Sequence, residues 1–343
     1  MKFSRVIKII RGNKVTRTLA YPLDLICHHV LARITAAHPY RYPAHNHKWV
    51  YGRRMDLENP ISLHEKIYWM LYCTDTSIWT ELTDKVKVRS YIERMGYGNI
   101  LNKVYATYDC LPDMNTLFTN APRSFVVKTN HCGGGEGVYL VKNKDTVNKK
   151  RIYSGLKRVM RDKYGVRTGQ PHYVGIKPQI IVERYLINEV DPTKALPDYK
   201  FFCFNGEPRL INLVGNRSIE EHTYLDHYYT MSWERIVYKE DESQDFPRPK
   251  SFDEMVQIAR KLSSPFPFVR LDFYEVGGKP IFGEMTFTPG FDTFCGTYGD
   301  KILKLGNWVD LPKSLMGSSE TWKLATKAKV IFGGTEYTRL QLC

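Results

Sequence analysis

FVVKTNHCGGGEGVYLV, Phe125 to Val141, sets four glycines and a lysine between two valine-rich runs. Apolar, β-branched runs of this length interrupted by glycine read as two strands joined by a glycine loop. The loop has no GxxxxGK[ST] pattern, and it joins strand to strand and not strand to helix. It is therefore neither a Walker phosphate loop nor a dinucleotide fingerprint. Four glycines in five positions, Gly133, Gly134, Gly135 and Gly137, still exceed what a hairpin turn requires. Glycine lets backbone N–H groups approach an anion closely, and Lys128 just before the loop can add a point charge to a phosphate. Locally, phosphate binding is favoured over mere turning, and both readings stay open.

A second stretch supplies acids. In FVRLDFY, Val269, Leu271 and Phe273 fall on one face of a strand, and Arg270, Asp272 and Tyr274 on the other. The chain returns through Gly277-Gly278 into FGEMTF, where Glu284 and Thr286 share a face. A three-residue loop centred on Gly278 would set Asp272 directly opposite Glu284, with Cβ atoms about 5 Å apart. Two carboxylates that close need a cation between them. Mg²⁺ fits, because it takes hard oxygens and uses one or two carboxylates plus nucleotide phosphates. A surface ladder neutralised by Arg270 fits equally well from the hairpin alone.

Around these stretches the chain alternates helical and strand signals. NPISLHEKIYWMLYCTDTSIWTELTDKVKVRSYIERMG reads as two helices, the first capped by Ser62 with Glu65 three residues on, the second closed by Gly96. Residues 101–124 read as turn-rich, and roughly 145–164 as a polar, lysine-rich helix. A strand is centred on Ile180 to Val182, and a hairpin turns at Asn205-Gly206. A capped helix starts at Ser251 with Glu254 three residues later. Mixed strands and helices give an α+β class, or α/β.

The 343 residues are 43% hydrophobic and 25% charged, ordinary for a soluble fold, and no run is apolar enough to span a bilayer. The N-terminus lacks the apolar core of a signal peptide. Seven cysteines without a CxxC pair suit a reducing cytoplasm. The net charge of +14 is uneven, since residues 1–50 hold nine Lys and Arg against Asp24 alone. Six of them, Lys2 to Arg17, recur every third residue and precede the apolar Leu19–Ile34. Such a segment either lies on an anionic membrane surface or packs as a basic helix on the core. No nucleic-acid-reading element accompanies the charge, so nucleic acid is not expected as a partner. Cys132 lacks a convincing base beside it, and His45 and His47 lack further metal ligands, so all three read as structural. His222 and His227 receive no role.

Together the motifs TDKVKVRSYIERMG, FVVKTNHCGGGEGV, KPQIIVERYL, DYKFFCFNG, FPFVRLDFYEV and FGEMTFTPG, in this order, resemble the ATP-grasp superfamily, and within it the TupA-like branch of surface-polysaccharide and teichuronopeptide synthesis. The resemblance runs from about Asn59 to Pro312. It implies an ATP-grasp fold, two α+β subdomains clasping ATP under the glycine loop, with a mostly helical N-terminal region. The expected organisation is a basic amphipathic region at 1–58, a helical platform at 59–117, the small subdomain at 118–192, the large subdomain at 193–312 and a tail at 313–343.

The same resemblance implies site roles. Lys85 and Lys128 match the phosphate-binding lysines, with Gly133, Gly134, Gly135 and Gly137 as the lid. Glu183, Arg184, Tyr185 and Leu186 look like the hinge that meets adenine, and Glu189 like the ribose acid. Lys200 sits where a basic residue nears the γ-phosphate, and Arg270 resembles the arginine that stabilises transferring charge. Asp272 and Glu284 resemble the Mg²⁺ ligands, whereas Thr286 stands where many members carry a ligating asparagine. The implied reaction is ATP-dependent amide formation through an acyl phosphate, which needs spread positive charge and an excluded solvent. The expected partners are a uronic acid-containing glycan or its lipid-linked precursor and an amine, with room for peripheral contact at the inner face of the cytoplasmic membrane. A polysaccharide glycosyltransferase is the alternative, though the chain has no Asp-x-Asp motif. A module that binds nucleotide without turnover is a third.

Overall fold

Two antiparallel sheets carry the motifs. The computed structural model describes residues 35, 41–217, 224–237, 243–290, 299 and 303–311, with the backbone of 329–332 and 335–338. The basic stripe from Lys2 to Arg17, the apolar run after it and His222 lie outside the described residues. The smaller sheet has β1 (Val104–Tyr108), β2 (Phe125–Thr129), β3 (Val138–Val141) and β4 (Ile180–Arg184) in the order β1-β4-β2-β3. The larger has β5 (Asp198–Phe204), β6 (Glu207–Gly215), β7 (Leu225–Tyr229), β8 (Arg235–Ile236), β9 (Phe268–Val276) and β10 (Lys279–Thr286) in the order β10-β9-β5-β6-β7-β8.

Among the described residues the principal helices are α1 (Arg41–Tyr51), α2 (Leu63–Cys73), α3 (Ser77–Thr83), α4 (Val88–Arg94), α5 (Met114–Asn120), α6 (Lys149–Val159), α7 (Tyr164–Thr168), α8 (Pro171–Val174) and α9 (Phe252–Ser263). On the small sheet Phe125, Val127, Ile180 and Val182 bury one face against Leu117 and Phe118 of α5 and Ile152 and Leu156 of α6. Strand alternation therefore turns Val126, Lys128, Ile181 and Glu183 to the opposite face. On the large sheet Phe201, Leu271 and Phe273 share a core with Phe252, Met255, Ile258 and Leu262 of α9. That burial leaves Lys200, Arg270 and Asp272 on the other face.

Several expectations meet the structure with a difference. The span 62–96 holds three helices and not two. Asp75 Oδ1 accepts the Ser77 amide and Asp84 Oδ1 the Val86 amide, both at 2.9 Å, and each such turn breaks the helical run. The turn-rich reading of 101–124 missed β1 and α5. The helix expected over 145–164 is shorter, because Asn148 caps it by accepting the Arg151 amide and the chain turns again after Val159. Ser251 precedes α9 without capping it. Its N–H and hydroxyl both donate to Glu275, at 2.6 Å each.

The β9–β10 loop has two residues and not three. Gly277 and Gly278 both take positive φ, 59° and 71°, the type I′ pattern that suits a twisted hairpin. Val276 pairs with Lys279, and this register continues to Phe273 with Phe282. Gly283 is then an extra residue, a bulge that shifts the pairing so that Asp272 faces Glu284. A Cβ at Gly283 would stand 2.9 Å from the Asp272 carbonyl oxygen. The expected pairing of the acids is present, reached by a different route. The Asn205-Gly206 turn is as expected, with φ of 50° and 81°.

The capping box at α2 is present, and it extends into a buried network. Glu65 accepts from the Asp56, Ile61 and Ser62 amides and from both Arg53 Nη atoms, one at 2.6 Å. Burial pushes the Glu65 carboxyl up, but Arg53 and the Ser62 and Asp56 donors outweigh it and hold it at about 2. The unfolded value is the ordinary 4.5, so the folded state holds the proton more weakly. The resulting stability is fully present above pH 4.5 and is lost as pH falls toward 2, about 3 kcal/mol in all. In Glu65→Gln, melting temperature at neutral pH falls and the decline between pH 4.5 and 2 becomes shallower, which thermal melts across that range check.

Candidate functional site

Four polar residues lie in one row across the large sheet. Asn212, Lys200, Asp272 and Glu284 are register partners on β6, β5, β9 and β10 in turn. One step along, Arg270 pairs with Thr286. The strands' other side chains feed the α9 core, so the backbone alternation that builds the core also assembles this row.

Arg270 organises it. Its Nε and an Nη each donate to Asp272 at 2.7 Å, and the same Nη reaches Glu284 Oε1 at 3.0 Å and Thr286 Oγ1 at 3.2 Å. Thr286 Oγ1 donates to Glu284 Oε1 at 3.0 Å. Lys200 Nζ donates to Asp272 Oδ2 at 2.8 Å and also to Asp198. Burial pushes Glu284 up, yet Lys85, Arg270 and Lys200 hold it at about 2, so it stays ionised. Burial also lowers the Lys200 ammonium, but Asp198 and Asp272 raise it further, so it stays charged.

Asp198 is the functional candidate that the sequence reading left out. It is buried, shares Lys200 with Asp272, and its Oδ1 has no hydrogen-bond partner among the described residues. Its charge is the largest cause raising the half-buried Tyr274 phenol well above its usual value. The signal was present in Asp198-Tyr199-Lys200, since positions two apart on a strand share a face.

The facing wall comes from the small sheet and the glycine loop. Lys128 Nζ lies 2.8 Å from Glu183 Oε2, both largely buried. Lys85 stands at the turn between α3 and α4, where Asp84 Oδ1 also accepts from Asn130 Nδ2 at 3.0 Å. Its Nζ donates to the Cys132 carbonyl at 2.7 Å and lies 3.9 Å from Glu284 Oε2. One cation thus touches both the loop and the acid pair. Burial lowers the Lys85 ammonium although Glu284 opposes it.

Two glycines in the loop are fixed by contact. A Cβ at Gly133 would meet Tyr164 Oη at 2.7 Å, and one at Gly137 would meet Val159 Cγ1 at 2.9 Å. Glu136 between them pairs with Arg167 at 2.9 Å, and Arg167 also holds Asp162 at 2.8 Å. Cys132 is buried and its thiol is pushed up to about 12, chiefly by burial, which fits the structural reading given to it.

The structure brings Lys85, Lys200, Arg270, Asp272, Glu284 and Thr286 together, with Lys128 and Glu183 paired on the facing sheet. It does not bring Glu189 to them. Glu189 Oε2 accepts the Gly277 N–H at 3.1 Å, at the hairpin tip, about 16 Å of strand beyond Asp272. The hinge is also partly occupied. Arg184 donates its N–H to Lys103 and its carbonyl accepts from Asn102 Nδ2, so the free backbone there begins at Tyr185 and Leu186. His47 is buried against Arg53 and Ser62, and the His227 ring against Ser243, while the His227 carbonyl accepts from Asn212 Nδ2 at 3.5 Å.

An all-oxygen set of two carboxylates and a hydroxyl suits Mg²⁺ shared with phosphates better than a closed protein cage. Among the described residues no three His, Cys, Asp or Glu side chains converge on one point, as a cage would require.

The model of the TupA-like ATP-grasp family matches residues 65–307. No curated protein matches the chain. Among solved structures, the D-alanine–D-alanine ligase of Bacillus anthracis is 14% identical with a TM-score of 0.38, over 66% of this chain and 63% of that one. The same ligase complexed with ATP is 13% identical at 0.40, over 71% and 67%. The ATP-grasp ligase PsnB, complexed with a minimal precursor, Mg and ADP, is 9% identical at 0.35, over 71% and 66%. The chain thus spans about two thirds of the length of these ligases.

Proposed function

The chain belongs to the TupA-like ATP-grasp family, and from that premise we propose that it is an ATP-dependent carboxylate–amine ligase. The observation that carries the reading is Lys85, whose ammonium reaches both the Cys132 carbonyl at the mouth of the glycine loop and Glu284 of the acid pair. A group so placed serves one ligand that runs from the loop to the acids, as a triphosphate does.

In this proposal Lys85, Lys128 and the loop amides bind the phosphates, and Tyr185 and Leu186 meet the base. Asp272 and Glu284, with Thr286 where relatives carry asparagine, would hold Mg²⁺, which screens phosphate charge when bound. Arg270 and Lys200 steady the charge on the transferring phosphoryl group. The substrate carboxylate attacks the γ-phosphorus and ADP leaves, giving an acyl phosphate. The amine then attacks the acyl carbon, phosphate leaves, and a proton passes from the amine to base. The loop, closed against Tyr164, keeps water from the acyl phosphate.

For the substrates we propose a hexuronic acid of a bacterial surface polysaccharide or its lipid-linked precursor, and an amino acid or small amine. Support comes from the family match. With ATP, magnesium and a uronate-containing glycan, a panel of amines is expected to stimulate ADP release and add the amine's mass, less water, to the glycan. Failure of every carboxylate and amine pair to stimulate ADP release would sink the proposal.

A further inference from the structure

Half of the chain's net charge sits on one side of the small subdomain. Residues 142–163 hold nine Lys and Arg against Asp145 and Asp162, a net +7 of the +14. Helix α6 and the turn after it carry most of it. Ile152, Leu156 and Val159 bury one face of α6 against the small sheet, and Lys150, Lys157 and Arg161 line the opposite face over about 16 Å. Arg151 and Lys163 flank this stripe, and Arg123 is exposed beside Lys144, whose N–H donates to the Arg123 carbonyl.

Other cations here have structural employment. Lys144 Nζ donates to the Ala121 carbonyl at 2.6 Å, and Lys149 lies over the Phe118 ring. Arg123, Lys150, Arg151, Lys157, Arg161 and Lys163 have no carboxylate within ion-pair distance among the described residues. Asp162 is taken by Arg167, and the exposed carboxylates of this layer are Asp113 and Asp145. An ordinary solvated helix mixes signs at i,i+4, whereas α6 has no acid at all. Lys149, Lys150 and Arg151 even fill its first turn, where the helix dipole disfavours cations. A face that opposes local stability in this way fits an external anion.

We propose that the outer face of α6 docks on an anionic phospholipid membrane. The face lies on the far side of the small sheet from Lys128 and Glu183, so a surface resting there leaves the cleft open. The stripe runs along a helix that packs over the small sheet beside α5, an outward helix face that suits an extended anionic partner. No large apolar side chain of α6 is exposed, so the contact is electrostatic, reversible and salt-sensitive, without insertion. It is distinct from the basic N-terminal segment, which the structure does not describe.

The test is sedimentation of the full chain with vesicles of phosphatidylcholine containing about 30% phosphatidylglycerol, at about 0.1 M salt. Wild-type protein is expected to bind these and not pure phosphatidylcholine, and to be released at about 0.5 M salt. Lys150→Glu/Lys157→Glu/Arg161→Glu should lower partitioning by about a thousandfold or more, with ATP binding unchanged and a melting temperature equal to or above that of wild type. The corresponding triple glutamine variant should lower it by about a hundredfold, which guards against a folding defect. Equal binding of the glutamate variant and wild type would overturn the proposal, as would no wild-type binding to anionic vesicles. Binding to soluble polygalacturonate that is lost in the variant, without vesicle binding, would assign the face to a glycan instead.

Discussion

Asp272→Asn is expected to lower ADP release by about a thousandfold or more, with stability reduced by about 3–5 kcal/mol. The carboxylate is buried and accepts two bonds from Arg270 and one from Lys200. Asparagine keeps the volume but removes the charge, and its amide NH₂ faces a donor that it cannot bond. Two buried cations then share Asp198 and Glu284 alone, and breaking a buried pair from one side leaves an uncompensated charge. If the variant unfolds, Glu284→Gln separates the roles, because that side chain is about one third exposed and carries less of the packing. It should fold near normally and still lose ADP release by about a hundredfold or more, with a raised magnesium requirement. Turnover within about tenfold of wild type in both variants would remove the acid pair from the reaction.

Why was the pair legible in the sequence when its loop was not? The alternation of Arg270, Asp272 and Tyr274 against Val269, Leu271 and Phe273 fixes which side chains leave the core, and burial enforces it. The partner register depends on the turn and on any bulge. A two-residue Gly277-Gly278 turn plus a bulge at Gly283 gives the same Asp272–Glu284 pairing as the three-residue loop expected. Strand periodicity cannot tell these apart. The glycine loop was legible as strand, loop, strand for the same reason. Its contacts with Tyr164 and Arg167 were not, because α7 follows 27 or more residues later and local pattern carries no information about what packs on a loop. Asp198 escaped for a different reason: only Lys200 of its strand had a family counterpart, and the value of a buried, half-partnered carboxylate appears once burial is known. Glu189 shows the converse. A match by position along the chain gave it the ribose, and position alone did not show that its carboxylate accepts the Gly277 N–H at the hairpin tip.

Arg270→Lys is the sharper test of how the acids are held. Arginine spans Asp272, Glu284 and Thr286 with one planar fork, and it lies on the strand next to the ammonium of Lys200. Lysine keeps the charge, so long-range attraction for phosphate should persist and ATP should still bind within about tenfold of wild type. A single ammonium cannot hold both oxygens of Asp272 and also reach Glu284 and Thr286, so the carboxylates lose their fixed spacing. Turnover should therefore fall by about a hundredfold to a thousandfold with little change in the KM for ATP. A rise in KM with turnover preserved would mean that Arg270 contributes ground-state phosphate binding and not charge stabilisation during transfer. Glu284 gives an internal check. Its carboxyl is held at about 2 by Lys85, Arg270 and Lys200 together against the effect of burial, so displacing one cation raises its proton affinity. The acid-side decline of the turnover that Arg270→Lys retains should accordingly lie at higher pH than in wild type, measurable as ADP release across acidic pH.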